Sequence, residues 1–260
     1  MMSFAEIWLY GFLFALLPLV VLWVVSVILK NVSIIDAYWG MGFVVLAGYY
    51  LYITGNYNPQ TLLVTGLLTI WGLRLSLYLL WRNWGEGEDY RYQQFRQDYG
   101  PDRYWWFSFF QVFLLQGVLI SIVSLPVLAT FLYSDSVVLS SVDFLIALLW
   151  FIGFFFEAVG DYQLTMFRKR STGKEVVNTG LWRYTRHPNY FGNAVIWWSF
   201  GLFGLINGSY FTLIGPLIMT LLLLKVSGVS MLERTLVKTK PKYQEYTRKT
   251  SAFIPWFPKK

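Results

Sequence analysis

Residues 4–29 read FAEIWLYGFLFALLPLVVLWVVSVIL and contain a single charged residue, Glu6. A helix that crosses a bilayer needs about 20 mostly apolar residues, and this stretch is long enough. Six later stretches are also apolar, and only Asn207–Ser209 separates the last two, which can form a helical hairpin. We therefore predict seven spanning helices, at residues 4–29, 34–53, 60–81, 108–132, 142–163, 189–206 and 210–227.

The composition supports a membrane protein. Of the 260 residues, 56% are hydrophobic and 13% are charged, whereas soluble domains carry about 25% charged residues. The predicted fold is an all-α integral membrane bundle that forms one domain, residues 1–260. The chain has no cysteine and one histidine, His187, so we expect neither disulfides nor a metal site.

The distribution of basic residues predicts the orientation. With the N-terminus outside, the external segments 1–3, 54–59, 133–141 and 207–209 contain no Lys or Arg. The loops on the other side and the tail 228–260 contain all the basic residues except Arg74 and Lys225. The positive-inside rule then makes the C-terminus cytosolic, whereas an even number of spans would break the pattern.

The same distribution explains the net charge of +7 without nucleic acid, which we do not expect as a partner. We predict a multi-pass protein of a bacterial inner membrane or of the endoplasmic reticulum. The N-terminus lacks the basic region of a cleaved signal peptide. We expect the basic, aromatic tail to lie at the membrane surface, with Trp256 and Phe257 at headgroup level.

Of the charged residues inside the predicted spans, four matter most: Asp36, Arg74, Glu157 and Asp161. Charge at such positions is costly and usually functional. Helical spacing places Arg74, Tyr78 and Arg82 on one face, and Glu157, Asp161 and Arg168 on another. Such faces can bind phosphates and ribose hydroxyls. Alternatively, Arg74 forms a structural ion pair with Glu157 or Asp161, Arg82 extends to the interface, and Asp36 caps the second span.

The segment NTGLWRYTRHPNYFGN, residues 178–193, is the densest site candidate. It combines Arg186, His187 and Asn189 just before an apolar helix. Pro188 fits the first turn of that helix, whose free N–H groups favour an anion. The alternative for His187 is a capping or interfacial role. The segment GEGEDY at 85–90 is not a dinucleotide-binding fingerprint, and no Walker A loop or nucleophile elbow is present.

The block NTGLWRYTRHPNYFG resembles the C-terminal signature of the steroid 5-alpha-reductase family and its uncharacterised bacterial relatives. WGLRLSLYLLWRNWGEGEDYRYQ and YTRKTSAFIPWFP resemble those relatives in particular. The core RHPNYFG is also similar to sterol C14 and C7 reductases. The pattern RHPxYxG is shared with isoprenylcysteine and phospholipid methyltransferases, so by itself it does not choose between NADPH and S-adenosylmethionine.

The resemblance implies a helical reductase that binds NADPH in a cytosol-facing cavity and reduces a carbon–carbon double bond in a hydrophobic lipid. Several departures lie in the substrate half. The Gln-Glu pair for a steroid ketone is missing, and Trp71 replaces a catalytic tyrosine. Outside the substrate half, Asn193 replaces an acid after NYFG. The resemblance and the clustering of charge together give the predicted cofactor set Arg74, Tyr78, Arg82, Glu157, Asp161, Arg168, Arg186, His187, Asn189, Tyr190, Asn193 and Glu233.

We therefore expect an NADPH-dependent ene-reductase, with Asp36, Tyr38 or Tyr190 as the acid that polarises the substrate and supplies a proton. The second interpretation is a methyltransferase that uses S-adenosylmethionine, which has no phosphates and so needs fewer arginines. The third is a non-catalytic lipid-binding membrane protein. The sequence leaves the oligomeric state open.

Overall fold

The computed structural model describes residues 2–226 and 229–259, and over these residues it contains helices but no strand. Twelve of its helical segments are α-helices. They are α1 Phe4–Leu29, α2 Ile34–Thr54, α3 Pro59–Asn83, α4 Tyr90–Tyr99, α5 Pro101–Ser108, α6 Leu115–Val123, α7 Leu125–Tyr133, α8 Ser141–Arg170, α9 Pro188–Ile206, α10 Ile214–Leu221, α11 Val229–Thr239 and α12 Tyr243–Lys249.

Within the described residues, five helices are long and apolar enough to cross a membrane, as a multi-pass membrane protein requires. They are Phe4–Leu29, Ile34–Thr54, Pro59–Asn83, Pro101–Val123 and Ser141–Arg170. The sixth predicted span is the single helix α9. The seventh is a 3-10 turn, Tyr210–Leu213, then α10 and the π-helical turn Leu222–Val226. Residue 227, with which that span ends, and residues 228 and 260 of the tail lie outside the described residues. The number seven and the orientation stay predictions.

Two predicted boundaries were wrong. The span 108–132 is interrupted, because α6 ends at Val123 and α7 begins at Leu125 with Pro126 in its first turn. Proline has no N–H to continue the ladder of the preceding helix. The span 142–163 is too short, because α8 continues to Arg170. Residues 164–170 include no proline or glycine, and polar side chains do not end a helix. Arg168 therefore lies in α8, not in a loop.

The chain packs as two compact units, and the prediction of one domain stays a prediction. Unit 1 contains α1 to α7 and Asn207–Ser209. α2 and α3 are in close backbone contact, where a Cβ on Gly40 would lie 2.4 Å from the Gly72 carbonyl oxygen. Glycine at both positions lets the two backbones approach, as small residues do between membrane helices.

Unit 2 contains α8 to α12. Ser140 and Asp143 form a capping box at the start of α8. The chain after α12 runs back along the segment before α9. There the backbone N–H groups of Arg186 and Trp256 donate to the carbonyls of Ser251 and Tyr184, each at 2.9 Å. Trp256 and Phe257 are exposed, and their predicted place at a membrane surface stays a prediction.

Candidate functional site

The α8–α9 contact, which we call the polar seam, brings together four of the predicted residues. Glycine makes it possible, because a Cβ on Gly192 would lie 2.3 Å from the Glu157 backbone nitrogen and 2.4 Å from the Gly153 carbonyl oxygen. The side chains that line the seam are two acids of α8 and two amides of α9: Glu157, Asp161, Asn189 and Asn193.

Asp161 and Asn189 form one pair of the polar seam. Asn189 Nδ2 donates to Asp161 Oδ1 at 3.0 Å, and Asn189 Oδ1 accepts from the Tyr190 backbone N–H at 3.1 Å. The two bonds fix the orientation of the amide. Asp161 is buried, and a buried carboxylate is retained only where hydrogen bonds or charges compensate for lost hydration. α9 begins at Pro188, which confirms the prediction that this proline lies in the first turn.

Glu157 and Asn193 form the second pair. Asn193 Nδ2 donates to Glu157 Oε2 at 3.3 Å, and both residues are buried. Asn193 Oδ1 is also buried, and it has no hydrogen-bond partner within residues 2–226 and 229–259. A buried acceptor without a donor costs about 1–3 kcal/mol. The seam can therefore accept an N–H or O–H group from a ligand at this atom.

Arg186 has a different environment from the one predicted. Its Nε and Nη2 donate to the two carboxylate oxygens of Glu233, at 2.7 and 3.1 Å. Its Nη1 donates to the carbonyls of Thr247, at 3.0 Å, and Thr250. These bonds attach the C-terminal segment to the start of α9, so the structure gives Arg186 a structural role. Its predicted role in cofactor binding stays a prediction.

Glu233 joins Arg186 and His187. Burial raises the pKa of Glu233. Hydrogen bonds from His187 and Arg186, together with the Arg186 charge, lower this pKa by more than burial raises it, to about 2. The carboxylate is therefore ionised at neutral pH, and His187 Nε2 donates to it at 3.1 Å. The imidazole stacks on Tyr190 with ring centroids 5.4 Å apart. The His187 carbonyl accepts from the Phe191 N–H at 3.0 Å, as expected of the residue that precedes a helix.

In unit 1, Arg74, Tyr78 and Arg82 share one face of α3, as predicted. The guanidinium carbons of Arg74 and Arg82 lie 5.0 and 5.7 Å from the centre of the Tyr78 ring. Such distances allow a cation–π interaction with each arginine. Arg74 is half-buried, whereas Arg82 is exposed and donates from Nε to Asn83 Oδ1 at 3.0 Å. Arg168, in unit 2, is exposed in the last turn of α8.

The alternative that Asp36 caps α2 was wrong. The helix begins at Ile34, so Asp36 lies inside its first turn. Its carboxylate accepts from Tyr92 Oη at 2.7 Å and from Arg91 Nη2 at 3.0 Å. Tyr38, two residues later in the same helix, packs against the apolar core of unit 1. Its hydroxyl is buried and has no hydrogen-bond partner in the described part of the chain.

The comparisons with known proteins give a family. A family described as a protein of unknown function, DUF1295, matches residues 22–250. This chain belongs to the DUF1295 family. It is also similar to Uncharacterized protein C594.04c of Schizosaccharomyces pombe (strain 972 / ATCC 24843), with 26% identity over 266 residues that cover 90% of this chain and 76% of the relative. No solved structure matches the chain.

Sequence reasoning missed several contacts of this DUF1295 protein. Arg91 and Tyr92 hold Asp36 from 55 and 56 residues away, and no spacing in the sequence indicates that contact. Trp182 Nε1 donates to the Gly160 carbonyl at 3.1 Å, next to the polar seam. A signal was present for the seam itself, because Gly153, Glu157 and Gly160 lie on one helical face. Among the described residues, no group of three or more His, Asp or Glu side chains can hold a metal ion.

Proposed function

We propose that this protein is an NADPH-dependent reductase of a carbon–carbon double bond in a membrane-soluble lipid. The polar seam is the observation that carries the proposal. Two buried carboxylates and two amides lie where two apolar helices are in backbone contact. Polar groups at such a position are expensive and usually serve a ligand. DUF1295 is associated with steroid 5-alpha-reductase-like proteins, which supports the choice of ligand and reaction.

The residues of the polar seam fit parts of a dinucleotide. Carboxylates such as Asp161 and Glu157 accept hydrogen bonds from ribose hydroxyls. The unpartnered Asn193 Oδ1 suits an N–H donor such as a carboxamide. The predicted cofactor-binding roles of Arg74 and Tyr78, which lie in unit 1, stay predictions. When bound, NADPH supplies the hydride, and the chain supplies orientation and exclusion of water.

Tyr38 is the best of the three candidate proton donors. Its hydroxyl is buried and unpartnered within the described residues, so it is available to donate to a substrate oxygen. Asp36, by contrast, already accepts hydrogen bonds at both carboxylate oxygens. Tyr190 stacks on His187. A hydrogen bond from Tyr38 Oη to a carbonyl conjugated with the double bond would stabilise the negative charge that hydride addition creates on that oxygen.

A methyltransferase that uses S-adenosylmethionine is the second candidate, and the geometry of Arg186 favours it. A phosphate-bearing cofactor is favoured where several arginines, here Arg74, Arg168 and Arg186, are available to bind its phosphates. The guanidinium of Arg186 donates to Glu233 and to two backbone carbonyls. One of those three arginines is therefore already bound by the chain itself. Both cofactors contain ribose, so the carboxylates of the polar seam suit either.

Thermal unfolding of the detergent-purified protein with NADPH, NADP, NADH or S-adenosylmethionine separates the candidates. A ligand of the folded state raises the melting temperature by mass action, and we expect NADPH and NADP to do so. Arg74→Gln should reduce this stabilisation, whereas Arg170→Gln, at an exposed position of the same charge, should not. Stabilisation by S-adenosylmethionine alone would establish the methyltransferase. No stabilisation by any of the four would favour a lipid-binding protein without catalysis.

A further inference from the structure

Unit 1 contains a cavity of about 340 Å³ at the end where α2 begins and α3 ends. None of the residues predicted for cofactor or catalysis lines it. Its walls come from the α1–α2 connection, the first turn of α2, the last turn of α3 and the turn that follows. We propose that this headgroup cavity binds the primary ammonium group of an aminophospholipid, of the phosphatidylethanolamine type. The proposal does not depend on the reaction proposed above.

Glu86 gives the cavity a carboxylate that forms no ion pair within the described residues. Asp89 also lines it, but that carboxylate is bound by Arg91, whose Nε and Nη2 donate at 2.9 and 3.2 Å. Burial raises the pKa of Asp89, and the hydrogen bonds and charge of Arg91 then lower it below its ordinary value. Glu86 has no ion-pair or side-chain hydrogen-bond partner within residues 2–226 and 229–259. Its charge favours a cationic ligand over a nucleotide.

The uncharged polar groups of the lining suit a primary ammonium, which has three N–H donors and no acceptor. Asn31 Oδ1 and Asn83 Oδ1 each accept one hydrogen bond, from Ser33 N at 2.9 Å and Arg82 Nε at 3.0 Å. A carbonyl oxygen has two lone pairs, so each can accept another. A quaternary ammonium could not donate to them.

The remaining lining residues explain why the ammonium belongs to a lipid. Ile34, Ala37 and Leu80 give one side an apolar wall formed by two membrane helices. Trp84 also lines the cavity and is 79% exposed. Tryptophan is enriched at headgroup level, and its ring attracts cations. The cavity therefore joins an apolar wall, on which acyl chains can lie, to a polar rim that matches the headgroup.

Native mass spectrometry of the full chain, released from nanodiscs that contain phosphatidylethanolamine, phosphatidylcholine and phosphatidylglycerol in equal amounts, tests the proposal. We expect preferential retention of phosphatidylethanolamine. Glu86→Gln and Trp84→Leu should each lower that preference about fivefold. The matched controls are Glu245→Gln and Trp256→Leu, which remove an exposed acid and an exposed tryptophan that do not line the cavity.

Three outcomes would overturn the proposal: equal retention of the three lipids, an unchanged preference in Glu86→Gln, or an equal loss in the controls. Release of the lipid by millimolar ethanolamine would assign the cavity to a soluble amine instead. Glu86 is exposed, so Glu86→Gln remains informative if Trp84→Leu does not fold. Failure here leaves NADPH binding unchanged, and failure of the proposed reaction leaves lipid retention unchanged, so the two are distinguishable.

Discussion

The α2–α3 and α8–α9 pairs use the same packing device but enclose different chemistry. Both have glycines at the crossing, Gly40 with Gly72 and Gly153 with Gly192. The α2–α3 contact buries the hydroxyl of Ser76, which accepts from the Met41 N–H at 2.8 Å. The polar seam buries two carboxylates and two amides, one of which leaves an oxygen without a partner in the described part of the chain.

This difference separates packing from function. Close glycine contact stabilises a helix pair in a membrane through dispersion forces and needs no charged group. The α2–α3 pair therefore shows what packing alone requires. Packing alone does not require the two carboxylates of the polar seam, and burying them lowers the stability of the folded protein. We infer that they are retained for a ligand.

The largest expected effect tests the shared device. Gly192→Ala should cost about 3 kcal/mol or more, because the new Cβ meets backbone atoms that cannot move without separating the helices. Gly72→Ala should have a similar effect, since its Cβ would lie 2.6 Å from the Gly40 carbonyl oxygen. The yield of monodisperse protein and the free energy of unfolding in mild detergent measure both.

Gly48→Ala is the control for this pair of variants. No atom lies within 4 Å of a Cβ at Gly48, so this change should be neutral or stabilise α2 by about 0.5–1 kcal/mol. If Gly192→Ala were tolerated as well as Gly48→Ala, the close α8–α9 contact would not exist, and the polar seam built on it would be lost too.

A smaller effect is expected at the end of the polar seam, where Glu233 binds Arg186 and His187. Glu233→Gln should cost about 2 kcal/mol at neutral pH, because it removes the charge that accepts these hydrogen bonds. The folded-state pKa of Glu233 lies below its ordinary value of 4.5, at about 2. Its contribution is therefore complete above about pH 4.5 and is lost as the pH falls towards 2.

Unfolding of the wild type and of Glu233→Gln, followed from pH 7 to pH 2, measures this contribution. The difference between them should shrink below pH 4.5. Glu245→Gln serves as the control, because its carboxylate is exposed and pairs only with Lys249, one helical turn away, among the ion pairs of the described residues. A difference that did not change with pH would show that Glu233 stabilises the C-terminal segment by shape and not by charge.

The sequence predicted local features better than distant contacts. The span 34–53 matches Ile34–Thr54 to one residue, because a run of apolar side chains determines a membrane helix locally. The shared face of Arg74, Tyr78 and Arg82 follows from helical periodicity alone. By contrast, Glu233 is 47 residues from Arg186. The identity of such a partner depends on how the helices pack, which composition and periodicity do not determine.

The candidate site shows the same limit. Charge inside the predicted spans, the 178–193 motif and the resemblance together selected Glu157, Asp161, Asn189 and Asn193, and the structure brings these four together. The sequence could not show that Arg186 donates to backbone carbonyls, because every residue has a carbonyl and none is distinguished by its side chain. Nor could it show that the hydroxyl of Tyr38 lacks a partner in the described residues while Asp36 has two. That distinction depends on α4, which supplies Arg91 and Tyr92.

The smallest expected effects compare the two helix pairs directly. Ser76→Ala should cost about 1 kcal/mol of stability through one lost hydrogen bond and leave the NADPH dissociation constant unchanged. Asp161→Asn keeps the shape and an acceptor for Asn189 but removes the charge, so it should change stability little and raise the dissociation constant about tenfold. Fluorescence titration with NADPH measures the dissociation constant of each variant, and unfolding in mild detergent measures its stability. If Asp161→Asn lost stability and kept its affinity, the polar seam would be a packing contact like α2–α3, and the reductase proposal would lose the observation that carries it.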